Sequence, residues 1–241
     1  MLTGAALSRF RKNLLGWFAA FQRDLPWRRT RDPYRIWLSE IMLQQTRVAA
    51  AIPYYERFLE RFPSVEALAS APQEEVLRLW SGLGYYSRAR NLQKAAQEIV
   101  AKHNGVFPGE PAEALALPGI GAYTAAAILS IAYRKKHAVL DGNVARVIAR
   151  LNAVRGDLRA NGTWQKLQGS ADRLLDEKSP GDWNQAMMEL GAILCTPRSP
   201  HACSARSANF AKPANLASLK RSPRSAPSAV RWKSRWPRWC W

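Results

Sequence analysis

Two carboxylates sit in contrasting sequence settings. Glu40 lies inside the apolar stretch PYRIWLSEIMLQQT. Ile36, Glu40 and Gln44 are spaced four apart there, with Trp37 and Leu43 three away on either side. On a helix this spacing puts Glu40 on a face with bulky apolar groups. A carboxyl buried in such company without a positive partner has a raised pKa, which suits a general acid near neutral pH. A Glu paired with Arg35 or Arg47 is the plainer reading of the same segment. Asp141 stands in HAVLDGNVARVIARL, where Val144, Val147, Ile148 and Leu151 mark a helix beginning just after it. An Asp in that place is a helix cap, and the helix N-terminus also favours its charged form. One acid poised to stay protonated and one poised to stay charged is the pairing that divides the cleavage of a glycosidic bond into two roles.

A third feature could hold an anion. Leu117-Pro118-Gly119-Ile120-Gly121 lies between two Ala-rich helical stretches. Pro118 cannot continue a helix, and the glycines permit dihedrals closed to other residues. The helix that starts at Ala122 would point its first amides outward where a backbone can approach closely, which is a phosphate-binding geometry. A tight turn between packed helices would use the same residues.

These residues need helices to position them, and residues 1–203 read as helix after helix. The segment 33–46 is apolar nearly all round and predicts a buried helix, and 47–62, 85–103, 122–134, 143–155, 163–177 and 182–195 carry similar patterns. Pro63, Gly82, Gly84, Pro108, Pro118, Gly119, Gly121 and Gly156 punctuate them. No alternation of apolar and polar residues persists long enough for a sheet, so the expectation is an all-α fold. At 241 residues the chain has room for one large domain or two small helical lobes. Its start is spaced like an amphipathic helix, and Arg9, Arg11 and Lys12 interrupt any signal-peptide core. No segment approaches the roughly 18 apolar residues of a membrane span, which points to the cytoplasm. Cys195, Cys203 and Cys240 do not make a disulfide framework in such a chain.

The formal net charge is +18, which favours a polyanionic partner. Nine of the 36 basic residues and none of the 18 acidic ones fall in 204–241, so residues 1–203 keep an excess of nine. From residue 204 onward the chain is rich in Ser, Ala, Arg, Pro and Trp and has no helical period. That composition predicts a disordered basic tail.

Six stretches together resemble one family. They are Leu25-Pro26-Trp27-Arg28, Ser39-Glu40-Ile41-Met42-Leu43-Gln44-Gln45-Thr46, Gly82-Leu83-Gly84-Tyr85-Tyr86, the hairpin 117–121, Leu140-Asp141-Gly142-Asn143-Val144, and Asn184-Gln185-Ala186-Met187-Met188-Glu189-Leu190-Gly191. In order and spacing they resemble the catalytic core of MutY-type adenine DNA glycosylases, within the endonuclease III superfamily, over residues 8–200. The resemblance implies an all-α core over 1–203, built as two helical lobes with a helix-hairpin-helix motif and a cleft between the lobes. One six-helix-type lobe would span about 30–135, and the other would combine the N-terminal helix with about 136–203.

The resemblance also implies an activity: excision of adenine mispaired with 8-oxoguanine or guanine from double-stranded DNA. A monomer working in the cytoplasm at the bacterial nucleoid is assumed with it. Glu40 would protonate the flipped adenine and Asp141 would stabilise the oxocarbenium-like sugar, with Asn143 positioning Asp141. Trp27, Arg28 and Gln185 would line the adenine pocket, and Gln45 and Tyr85 would wedge into the stack. Ordinary packing is the competing reading for Trp27 and Tyr85. Relatives with lyase activity carry a Lys just after the hairpin, where this chain has Tyr123. A phenol cannot form a Schiff base, so the expectation is a monofunctional glycosylase.

The chain also departs from the family. A [4Fe-4S] cluster there uses four cysteines spaced C-x6-C-x2-C-x5-C. Cys195 matches the first ligand and Cys203 approximates the second, with seven residues between them in place of six. Arg206 stands where a third would be expected, and no Cys falls near 212. The pattern fails where the composition changes, as a frameshift near residue 201 would produce. By the same resemblance, the domain that reads 8-oxoguanine in the family is expected to be absent. The competing function is a catalytically impaired remnant that still binds DNA.

Overall fold

A computed structural model describes residues 2–197; the segment 204–241, with Cys203 and Cys240, lies outside the described residues. In chain order the helices are α1 (Gly4–Phe21), α2 (Pro33–Leu43), α3 (Val48–Arg61), α4 (Val65–Ser70), α5 (Gln73–Trp80), α6 (Ser87–His103), α7 (Pro111–Ala116), α8 (Ala122–Ile131), α9 (Gly142–Leu151), α10 (Asn161–Leu174) and α11 (Pro180–Glu189). A 3-10 turn at Pro26–Arg28 and a π-helical end at Leu190–Leu194 complete the regular structure, and no strand occurs among the described residues. The fold is all-α. None of these helices is long and apolar enough to cross a membrane. By contact the described residues form two compact units, one of 24–134 and one of 2–23 with 135–197.

In the unit 24–134, α2 is the axis. It packs on α3, α6 and α8 and buries eight of its eleven residues. Its start is well made: Pro33 supplies a helical φ at the first position, and the Asp32 carboxylate accepts from the Tyr34 amide at 2.9 Å. An aromatic core surrounds it. Trp37 meets Tyr34 and Phe107 with ring centroids 6.3 and 5.6 Å apart, and Phe58 meets Phe62 and Trp80 at 4.9 and 5.9 Å. Full burial of such side chains contributes on the order of 2–3 kcal/mol each.

In the other unit, α9 packs on α10, α11 and the π-helical end, and α1 packs along α11. Phe10, Leu14 and Phe18 of α1 are buried, with Phe10 edge-on to Trp183 at 5.6 Å. Glu189 of α11, only 1% exposed, is gripped by both ends of the Arg23 guanidinium (Nε 2.8 Å, Nη2 2.5 Å) and by the Arg23 amide at 3.1 Å. A buried carboxylate needs such a bidentate partner, and here it fixes the end of α1 to α11.

Candidate active site

Glu40 occupies the penultimate turn of α2 and is 7% exposed. The Tyr123 hydroxyl, from the first turn of α8, donates to its Oε2 at 3.0 Å. The expected face is therefore real, and a phenol donates to the carboxyl there. Of the two cations considered from the sequence, Arg35 lies 3.5 Å from Asp32, and Arg47 is the exposed residue that precedes α3. Beside Glu40, Gln44 Nε2 approaches Thr124 Oγ1 at 3.5 Å, a second link between the end of α2 and the start of α8.

The same unit holds five further expected residues or motifs. Trp27 sits on the 3-10 turn, 8% exposed and edge-on to Tyr55 of α3 at 5.4 Å, and Arg28 follows it half-buried. Gln45 and Tyr85 lie on the loops after α2 and before α6, both exposed and both with left-handed backbones, at φ 58° and 50°. The hairpin 117–121 is anchored by Leu117 and Ile120, buried to 3% and 6%, with the Ile120 amide bonded to the Leu117 carbonyl at 3.1 Å. Pro118 is half-buried and Gly119 is exposed. Gly119 has φ 79°, and a β-carbon there would meet Asn91 at 2.9 Å, so both conformation and space require glycine. No side chain caps α8, so its first amides keep the anion-binding geometry of a helix start.

The unit of 2–23 and 135–197 holds Asp141, Asn143 and Gln185. Asp141 is the N-cap of α9: its extended backbone lets Oδ1 accept from the Val144 amide at 2.7 Å, while Oδ2 accepts from Asn143 Nδ2 at 2.9 Å. Asn143 is held in turn by Arg146, which donates to Asn143 Oδ1 and the Gly191 carbonyl, both at 2.8 Å, and to the Cys195 carbonyl at 2.7 Å. Gly191 is indispensable there, since a β-carbon would meet the Asn143 Cβ at 2.7 Å and its backbone C and O at 2.9 Å. Burial is the largest influence on Asp141 and pushes its carboxyl up. The Val144 amide, the Asn143 side chain, the Arg146 charge and the Asn143 amide oppose it without reversing it. From sequence the helix start is expected to hold this carboxyl low; instead desolvation outweighs the capping bonds and moves its pKa upward. Gln185 is half-buried on α11.

Two supporting residues escape a sequence reading. Asn184 accepts from the Val139 amide at 3.2 Å and donates to the His137 carbonyl at 2.8 Å, bracing the segment that leads into Asp141. Arg146 organises Asn143 as described. Asn184 lies in the Asn-Gln motif and could have been suspected, whereas Arg146 reads as one more surface cation.

The cysteines do not fit a [4Fe-4S] cluster. Four thiolates are required and the chain has three cysteines. Cys195, the only one among the described residues, is buried, and its sulfur accepts from Arg150 Nη1 at 3.0 Å. Its carbonyl takes Arg146 and Arg150, and the Thr196 carbonyl takes Arg150 at 2.9 Å. No group of three or more potential metal ligands gathers among the described residues.

The described residues thus combine an all-helical fold with a glycine hairpin at a helix start and a buried Glu–Tyr pair beside it. The chain belongs to the HhH-GPD superfamily of base excision DNA repair proteins, whose pattern matches residues 38–171. It is 48% identical over 206 residues to the adenine DNA glycosylase of Homo sapiens, covering 81% of this chain and 38% of that protein. It is 41% identical over 192 residues to the adenine DNA glycosylase of Buchnera aphidicola subsp. Baizongia pistaciae (strain Bp), covering 79% of this chain and 54% of that one. A solved thermostable thymine-DNA glycosylase superposes with a TM-score of 0.74 at 31% identity, over 82% of this chain and 91% of its own. The chain thus spans from a little under two fifths to a little over half of these adenine-specific relatives.

Proposed function

We propose that the chain carries the catalytic core of an adenine-specific DNA glycosylase, with the two units as its lobes. Its reaction is hydrolysis of the N-glycosidic bond of adenine mispaired with 8-oxoguanine or guanine in duplex DNA. The observation that carries this reading is the buried Glu40 carboxyl held by a tyrosine, at the helix start where a lyase would present an amine. Glu40 donates a proton to N7 of the extruded adenine, and the C1′–N9 bond breaks with its electron pair leaving on the base. Asp141, aimed by Asn143, stabilises the positive charge left on the sugar. A water then adds to C1′ and gives its proton to Glu40. Trp27, Arg28 and Gln185 contact the extruded adenine, Gln45 and Tyr85 enter the stack, and Leu117 to Gly121 with the α8 amides hold backbone phosphate. The protein acts as a monomer, and no step passes through an iron–sulfur cluster.

Incubation with a duplex containing one adenine opposite 8-oxoguanine tests the reading. The expected result is free adenine, with strand cleavage appearing only after alkali. Cleavage without alkali, or release of an oxidised pyrimidine in place of adenine, would overturn it. Tight duplex binding with no base release in a single turnover would favour the binding-only remnant.

A second expectation follows from the contact under Asn143. Gly191→Ala forces its β-carbon into Asn143 backbone as well as side chain. Overpacking of this kind costs about 1–3 kcal/mol. Because the pressure falls on the residue that aims Asp141, the single-turnover rate should drop by about tenfold or more. Thermal unfolding and single-turnover kinetics measured together check this. An alanine variant with an unchanged rate would show that Asn143 does not need its position.

A further inference from the structure

The loops 44–47 and 82–86 reach the surface with Gln45 and Tyr85, and both residues hold a left-handed backbone that a β-carbon disfavours. Such conformations persist only where surroundings impose them. One guanidinium spans both loops. Arg88, in the first turn of α6, sends Nη1 to the carbonyls of Ile41 (2.9 Å), Met42 (3.1 Å) and Gln44, which close the end of α2. Its Nη2 reaches Thr46 Oγ1 at 3.4 Å and the carbonyls of Leu83 and Gly84 at 3.2 Å each. The guanidinium also lies 5.4 Å from the Trp80 ring centroid and 5.6 Å from that of Tyr85. Burial lowers its pKa to about 10, which leaves it charged at neutral pH.

We infer that Arg88 is a positioning residue for base extrusion, locking the Gln45 and Tyr85 loops into one fixed relation so that both side chains can enter the helical stack together. The inference rests on the glycosylase reading above and extends it to a residue that touches neither base nor sugar. The planar fork of arginine can serve carbonyls on two loops at once. A lysine keeps the charge but offers three donors on one nitrogen and cannot bridge them.

The test compares wild type, Arg88→Lys, Tyr85→Ala and the double variant on a duplex with 2-aminopurine in place of the target adenine, opposite 8-oxoguanine. Unstacking of 2-aminopurine raises its fluorescence. The expected result for folded Arg88→Lys is duplex affinity within about threefold of wild type and an extrusion rate at least tenfold lower. The double variant should be no slower than the slower single, since both act on one step. Losses that multiply, or a folded Arg88→Lys that extrudes at the wild-type rate, would overturn the inference. If Arg88→Lys does not fold, Thr46→Val removes one acceptor from the clamp. A threefold slower extrusion then supports the inference and an unchanged rate overturns it. Hydrogen exchange on the free proteins separates this from the parent reading. Arg88→Lys, or Thr46→Val in its place, should speed exchange at residues 44–47 and 83–86 whether or not wild type proves to release adenine, and unchanged exchange there overturns the clamp itself.

Discussion

Replacing Glu40 by Gln is expected to lower single-turnover release of adenine by on the order of 10²–10⁴-fold, the range spanned by a lost general acid. The substitution keeps size and shape. The Gln carbonyl can still accept from the Tyr123 hydroxyl, which now donates at 3.0 Å. Packing around α2 should therefore hold, with thermal stability close to wild type and duplex affinity retained. The amide cannot deliver a proton to N7, and the step that makes adenine a leaving group disappears. A loss smaller than tenfold in a folded Glu40→Gln protein would assign the proton to another group.

Asp141→Asn is expected to separate activity from stability. Burial pushes the Asp141 carboxyl above its ordinary range, so the folded state holds this proton more tightly than the unfolded chain does. Below an unfolded pKa of about 3.9 both states are protonated and the group contributes nothing. As pH rises from there to the folded value, the native state binds more protons than the unfolded one, and stability falls. Above that window the penalty is constant. Asparagine removes it while its carbonyl oxygen can still cap the Val144 amide, now 2.7 Å away. The variant should melt higher than wild type at neutral pH, with the gap closing as pH falls through the window. Base release should drop by on the order of 10²–10³-fold, since no carboxylate remains to stabilise the sugar cation. Parallel melting curves across pH together with single-turnover rates give both readings. An Asn variant that melts lower than wild type at every pH would show that the capping bonds matter more than burial. A site residue whose removal stabilises the fold is a common mark of a functional position.

Much of this architecture was legible in the residues. The apolar helix around Glu40, the hairpin, and the helix behind Asp141 all lie where their patterns put them, because a pattern sustained over ten or more residues fixes an element's type better than its ends. The segment 33–46 proved too long. α2 stops at Leu43, because Arg88 takes the last carbonyls and Gln45 turns left-handed. No local signal announces a donor more than forty residues away in sequence. α4, α5 and α7 went unread because six to eight residues are too few to show a helical period. The reading of the cations was the least complete. Net charge counts Arg11, Arg88, Arg146 and Arg150 as potential anion ligands, whereas each spends hydrogen bonds on internal carbonyls.

Among the described residues, the unit that carries Asp141 is made from two separated stretches of chain, whereas the unit that carries Glu40 is one unbroken interval. During synthesis α1 emerges first, yet its buried face waits for α11, and its Arg11 waits for the carbonyls at 173–175. The middle of the chain can reach its native packing while α1 still trails with Phe10, Leu14 and Phe18 uncovered. That interval ends only once Trp183 and Glu189 are there to meet Phe10 and Arg23.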